Sequence, residues 1–138
     1  MQHPLPLGKK ASFSKTITET DVVIYCGLIG DFNPIHVDEE YARRTKFRGR
    51  LVPGTYLTGL ISTVLGNHLP GPGSVYVEQK LQFLLPVHIG DTIKVTVEII
   101  NVEVHGEIFR YTLRTSCTNQ NGYCVAAGQS IISCKEQQ

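Results

Sequence analysis

No apolar stretch in this sequence is long enough to cross a bilayer, since Gly, Pro, Asn or Thr interrupts each one well short of the roughly 20 residues a span requires. No membrane partner is expected. An excess of charge is also missing: 13 Lys and Arg stand against 12 Asp and Glu, mixed along the chain with no basic stripe, which argues against a nucleic-acid partner. The four cysteines, Cys26, Cys117, Cys124 and Cys134, form no C-x-x-C pair, so zinc-knuckle and thioredoxin-like spacings are both absent. A reduced, intracellular protein is the expectation. Cys117 and Cys124 flank a hairpin turn, where a four-residue loop would set them opposite each other and a two-residue loop at Asn121-Gly122 would not, so a disulfide there stays open. The first ten residues carry neither a hydrophobic signal core nor an Arg/Ser-rich amphipathic pattern, so export is not expected. A cytoplasmic location fits, as does the mitochondrial matrix if a transit peptide has been removed.

What is present describes a globular chain with a real core: 138 residues, 41% hydrophobic and 18% charged, enough for one domain over residues 1–138. The first half reads as helical. Ser12 to Ile17 suits a short strand, and Thr18 with Asp21 three residues on resembles a capped start for a helix ending near Gly30. Asp31 to Val37 reads as irregular, and Asp38 as the N-cap of a short helix through Arg44. Pro53 and Gly54 open the most apolar helix, Gly54 to Gly66, whose Tyr56, Leu57, Leu60, Ile61, Val64 and Leu65 occupy more than one face; it should be enclosed on most sides. Beyond Pro70-Gly-Pro-Gly73 the period changes to two. Val75 to Phe83, Thr92 to Glu98, Phe109 to Thr115 and Tyr123 to Ser133 read as four consecutive strands, with a turn at His105-Gly106. A buried helix on an antiparallel sheet is an α+β layout.

Chemistry concentrates in Gly30-Asp-Phe-Asn-Pro-Ile-His-Val-Asp38, where an acid and an imidazole bracket an Asn-Pro. Pro34 fixes its own φ and pushes Asn33 towards extended backbone, which stiffens the spacing between Asp31 and His36. Converging on one water, the two could act as general acid and base. The same residues also suit an Asx-type turn with a solvated histidine. A second feature, Val52-Pro-Gly-Thr55, places Gly54 where the apolar helix begins, so that its N–H points out of the helix end as a donor to a developing oxyanion.

Together with Phe47 through Gly54, Gly59-Leu-Ile-Ser62, Leu69-Pro-Gly-Pro-Gly73, Gln79, Phe83 and Pro86-Val-His-Ile-Gly-Asp91, the Asp31-Phe-Asn-Pro-Ile-His36 segment resembles the MaoC-type (R)-specific enoyl-CoA hydratases and the type 2 3-hydroxyacyl-thioester dehydratases, from about Lys9 to Ser133. The resemblance implies a hot-dog fold, a long central helix wrapped by an antiparallel sheet, in homodimers that join their sheets edge to edge. It implies reversible addition of water to a trans-2-enoyl thioester of coenzyme A or acyl carrier protein, giving the (R)-3-hydroxyacyl thioester, in fatty-acid or polyhydroxyalkanoate metabolism. Asp31 and His36 would be the catalytic dyad. Gly54 would donate to the thioester carbonyl, Asn33 would hold the water or the loop, and Ser62 would support the site from the central helix. Leu57, Ile61, Ser62 and Leu65 are candidate walls of an acyl tunnel, although core packing alone would explain the three aliphatic residues, and Arg43, Arg44, Lys46, Arg48 and Arg50 suit either the carrier's phosphates or a solvated charged face. No metal or redox cofactor is implied, and His3, His68, His88 and His105 show no ligand spacing and read as exposed or turn residues. Many relatives carry His where this chain has Pro53, which should spare the backbone donor and remove that side chain's contacts. Two other readings share the fold: a hot-dog thioesterase, and a non-catalytic subunit that binds acyl thioesters.

Overall fold

The computed structural model describes residues 3–135, which run β1 (Lys10–Thr16), α1 (Glu19–Ile29), α2 (Pro34–Val37), α3 (Glu39–Arg43), α4 (Gly54–Asn67), β2 (Ser74–Phe83), β3 (Thr92–His105), β4 (Ile108–Thr118) and β5 (Cys124–Lys135). The strands form one antiparallel sheet in the order β1-β3-β4-β5-β2. Period-two alternation puts Ile93, Val95, Val97 and Ile99 of β3, with Tyr111, Leu113 and Cys117 of β4, on one buried face. Leu57, Leu60, Ile61, Val64 and Leu65 of α4 join them in the same core. The α+β layout of a long helix laid on an antiparallel sheet is therefore observed.

Several expectations need correction. The four later strands are not all neighbours in sequence order, because β2 pairs with β5 and β3 lies between β1 and β4. The connection 84–91 is no hairpin: about three inter-strand spacings, roughly 14 Å, separate β2 from β3, and eight residues reach that easily. The free side of β3 is taken by β1, registered from Lys10↔Glu98 to Thr16↔Thr92. Residues 31–37 are not irregular throughout, since Pro34–Val37 form a helical turn whose N-cap is Asn33. Pro53 is the N-cap of α4 and not its first helical residue, which is Gly54.

Helix α4 is enclosed on most sides: at about 100° per residue its bulky side chains gather on the buried side, and Thr55, Gly59 and Ser62 form a narrow exposed strip of small and polar residues. The cysteines are free thiols. Cys117 pairs with Ala126 whereas Cys124 pairs with Thr118 across an irregularity, so the two cysteines do not oppose each other, and the five-residue loop 119–123 between their strands is neither of the lengths considered.

Two consequences can be measured. Gly128 of β5 lies between Thr115 of β4 and Leu81 of β2, and a Cβ there would fall on the Lys80 carbonyl oxygen. Gly128→Ala must separate β2 from β5, and a thermal scan should show a loss of about 2–3 kcal/mol, or roughly 7–10 °C in Tm; an unchanged Tm would contradict this packing. Burial also pushes the Cys117 thiol up from its ordinary 9.0 to about 12. Its proton is kept in the folded state and lost in the unfolded one, so its contribution is complete below about pH 8.5 and disappears as pH climbs towards the folded value. Urea titrations between pH 8.5 and 10 should show stability falling with pH, and Cys117→Ala should fall less steeply.

Candidate active site

Helix α1 begins with a capping box, Thr18 and Asp21 exchanging side-chain and backbone hydrogen bonds, and ends at Gly30 in the left-handed region (φ 76°). There the Asp31 N–H donates back to the Cys26 carbonyl at 3.0 Å, closing the helix with a Schellman-type bond. Asp31 is thus fixed one residue beyond a rigid helix end. Its Oδ1 accepts the Asn33 N–H at 3.1 Å, and the Asn33 side chain accepts the Ile35 N–H at 3.3 Å, so two successive Asx turns lead into α2. The Asx turn and the proton-transfer reading are therefore compatible. One carboxylate oxygen shapes the loop while Oδ2 faces His36.

His36 lies on α2, its side chain 13% exposed against 34% for Asp31, with Nε2 and Oδ2 3.9 Å apart. That exceeds a direct hydrogen bond and suits a water held about 2.8 Å from each. The other ring nitrogen, Nδ1, is 2.7 Å from the Leu51 carbonyl oxygen. A carbonyl can only accept, so Nδ1 carries a hydrogen, and in its neutral form the ring presents a bare Nε2 towards Asp31. Leu51 is itself tied down, donating its N–H to the Ile35 carbonyl at 3.0 Å and bridging to His88. Beneath the pair, burial first and the Asp31 charge second push the Cys26 thiol up, so this sulfur stays protonated at neutral pH and is no nucleophile.

Three residues after Leu51, a reach of at most about 11 Å, Gly54 starts α4. Pro53 offers no side-chain cap, so the positive end of the helix is left without one. A Cβ on Gly54 would lie 3.0 Å from the Phe83 ring, so a larger residue there would require that ring to give by a few tenths of an ångström. Ser62 stands apart from this group. It is about 12 Å further along the axis and roughly 80° around it, on the exposed face. Leu57, Ile61 and Leu65, expected as tunnel walls, are core residues exposed by 2% or less.

The basic cluster is also partly committed. Arg43 pairs with Glu40 at 2.9 Å, and Arg50 contacts both Glu19 and Glu39. His88 does more than occupy a turn, because its Nε2 contacts the Phe47 carbonyl at 2.9 Å and anchors the segment before Leu51. Four contributors escaped the sequence reading: the Leu51 carbonyl, the ion pairs of Arg50, the His88 anchor, and a Tyr25 hydroxyl donating to Thr55 Oγ1 at 2.7 Å, which ties α1 to the start of α4. A backbone acceptor leaves no side-chain signal. The repeated Arg and Glu around it were the one visible hint.

The chain is similar to several known proteins. The MaoC like domain model matches residues 5–121. The chain is 46% identical over 125 residues to an (R)-specific enoyl-CoA hydratase of Rhodospirillum rubrum, covering 91% of this chain and 85% of that protein. It is 45% identical over 114 residues to a 3-hydroxybutyryl-CoA dehydratase of Methylorubrum extorquens, covering 83% and 71%. The crystallised (R)-hydratase of Aeromonas caviae involved in polyhydroxyalkanoate biosynthesis superimposes with a TM-score of 0.88 at 36% identity, covering 95% of this chain and 98% of that one. The fold is the hot dog of those hydratases.

Asn33→Ala removes the α2 cap and should cost about 1 kcal/mol in urea denaturation, whereas Asn33→Asp, which can still accept from Ile35, should lose less than half of that. Equal losses would show that capping is not what Asn33 contributes.

Proposed function

The chain belongs to the MaoC-like domain family, and from that membership we propose how it works as an (R)-specific enoyl-CoA hydratase: Asp31 and His36 hold one water against a trans-2-enoyl thioester whose carbonyl lies at the start of α4. The observation that carries this reading is His36 Nε2 facing Asp31 Oδ2 across 3.9 Å while Nδ1 is held by the Leu51 carbonyl. The thioester makes carbon 3 electrophilic. His36 Nε2 takes a proton from the water as its oxygen bonds to carbon 3, the π electrons move towards the carbonyl oxygen, and the imidazolium, steadied by Asp31, returns the proton to carbon 2. Water is added across the double bond with no net change at the protein.

Charge developing on the thioester oxygen is met by the Gly54 N–H and the positive end of α4, which act most strongly when that charge is largest. Asn33 keeps the carrier loop of the dyad in shape. Ser62, on the open face of α4, lines the path of the acyl chain. The step uses only side chains and a backbone amide, and no resident metal or redox group takes part in it. The carrier is coenzyme A, in keeping with the names of the relatives, and acyl carrier protein is an alternative that shares the same thioester. The working unit is a homodimer joined along β2, an edge strand bonded only to β5 whose Val75 and Val77 are 63% and 46% exposed.

Purified protein should remove the enoyl absorbance of crotonyl-CoA and yield the (R)-3-hydroxy product on chiral analysis. Asp31→Asn and His36→Gln should each reduce kcat by about 10²- to 10⁴-fold with little change in Tm. Free thiol released from a saturated acyl-CoA, with crotonyl-CoA untouched, would favour thioester hydrolysis. Activity of Asp31→Asn within tenfold of the parent would remove the part given to Asp31 in holding the water and steadying the imidazolium.

A further inference from the structure

We propose that Arg50 is a positioning residue for the hydration step: its guanidinium clamps the two ends of the segment that carries the dyad, and so keeps in place the Leu51 carbonyl that sets the His36 tautomer. The inference rests on the Asp31/His36 reading given above.

Arg50 Nη2 lies 2.5 Å from Glu19 Oε1 and Nε lies 2.8 Å from Glu39 Oε2, with only 11% of the arginine side chain exposed. Glu19 is the first residue of α1, the helix that ends at Asp31, and Glu39 is the first residue of α3, three positions beyond His36. One planar group therefore spans the stretch from before Asp31 to after His36. The very next residue is Leu51, which donates to Ile35 and accepts from His36 Nδ1. A fork with donors in fixed directions can hold two carboxylates at a set separation, which a point-charge ammonium cannot do.

Energetics favour a geometric role over a stabilising one. Glu19 and Glu39 are 66% and 47% exposed, and ion pairs of that kind contribute little to folding. Small displacements of a general base, in contrast, reduce rates steeply: about 1 Å of misplacement can cost on the order of a hundredfold. If the Leu51 carbonyl shifts, Nδ1 loses its acceptor, the ring becomes free to carry its hydrogen on Nε2, and the nitrogen that should receive the water's proton is then already occupied. A phosphate contact is disfavoured for Arg50, because binding one would require its donors to leave both carboxylates.

The test compares the parent with Arg50→Met, Arg50→Lys and Glu39→Ala, each as the whole chain. Two readouts are combined: steady-state kinetics with crotonyl-CoA, and the nitrogen-15 imidazole spectrum of the substrate-free protein, with His36→Gln identifying the His36 signals. Arg50→Met should lower kcat by about tenfold to a hundredfold with KM within about twofold, the pattern of an interaction that matters in the transition state. Its His36 signals should move from an Nδ1–H pattern to a mixture of tautomers, and Arg50→Lys should restore part of both. A kcat within twofold of the parent overturns the proposal. So does a raised KM at constant kcat, which would mark a contact to the carrier, or a lowered Tm with an unchanged tautomer, which would mark a purely structural arginine. If Arg50→Met does not fold, Glu39→Ala removes one arm of the clamp; a severalfold fall in kcat with a tautomer shift is expected, and no change in either overturns the idea. Activity retained by Asp31→Asn and His36→Gln would instead remove the underlying reading, while the substrate-free spectrum would still report whether Arg50 governs the ring.

Discussion

The hydrogen bond from His36 Nδ1 to the Leu51 carbonyl decides which nitrogen of the ring is available for proton transfer. It also joins two parts of the site that are far apart in sequence. One is the loop after α1, where Asp31 and His36 lie five residues apart; the other is the segment that becomes the N-terminus of α4. In the proposed mechanism the donor for the developing oxyanion and the base for the attacking water are thereby held by one short segment. Neither could drift without disturbing the other.

The surrounding structure serves this join. The sheet and the apolar side of α4 form one continuous core, which gives the helix a fixed axis. Tyr25 ties α1 to Thr55 at the head of α4, and the Tyr25 and Tyr56 rings meet edge to face with centroids 5.3 Å apart. His88 holds the Phe47 carbonyl, while Val52 donates to the Val87 carbonyl at 2.8 Å. The segment 47–52 is thus held along one side by residues just before β3 and on the other by α2. Preorganisation of this sort carries much of an enzyme's advantage over water, because dipoles already in place need no reorganisation as charge moves.

Much of this was legible in the sequence, and the parts that were not share a physical origin. The capping pairs Thr18/Asp21 and Asp38/Tyr41 belong to local hydrogen bonding, so the starts of α1 and α3 could be read directly. Period-two alternation marked β3 and β4 for the same reason. Asn33-Pro34 was harder: Pro at a first helical position after an Asn cap begins a helix, yet the same dipeptide also signals extended backbone, and the local signal does not choose between them. Strand order depends on a long connection whose destination no neighbouring residue encodes. The family resemblance placed Asp31, His36, Asn33 and Gly54 in one neighbourhood, but the Leu51 carbonyl has no residue-type signature at all.

The Schellman closure at Gly30 and Asp31 bears on how this chain can vary in length. Asp31 is measured from the last turn of α1 and His36 from the first turn of α2, with only Phe32 and Asn33 between the closing bond at Asp31 and the first residue of α2. A single inserted or deleted residue there would rotate the carboxylate away from the ring, and no compensating slack exists in a stretch of two. The loop 119–123 at the other hairpin is under no such constraint, since its bonds to Asn119 close the turn on itself. Variation in length between related chains should accumulate at such turns and stop abruptly at the joint between α1 and α2.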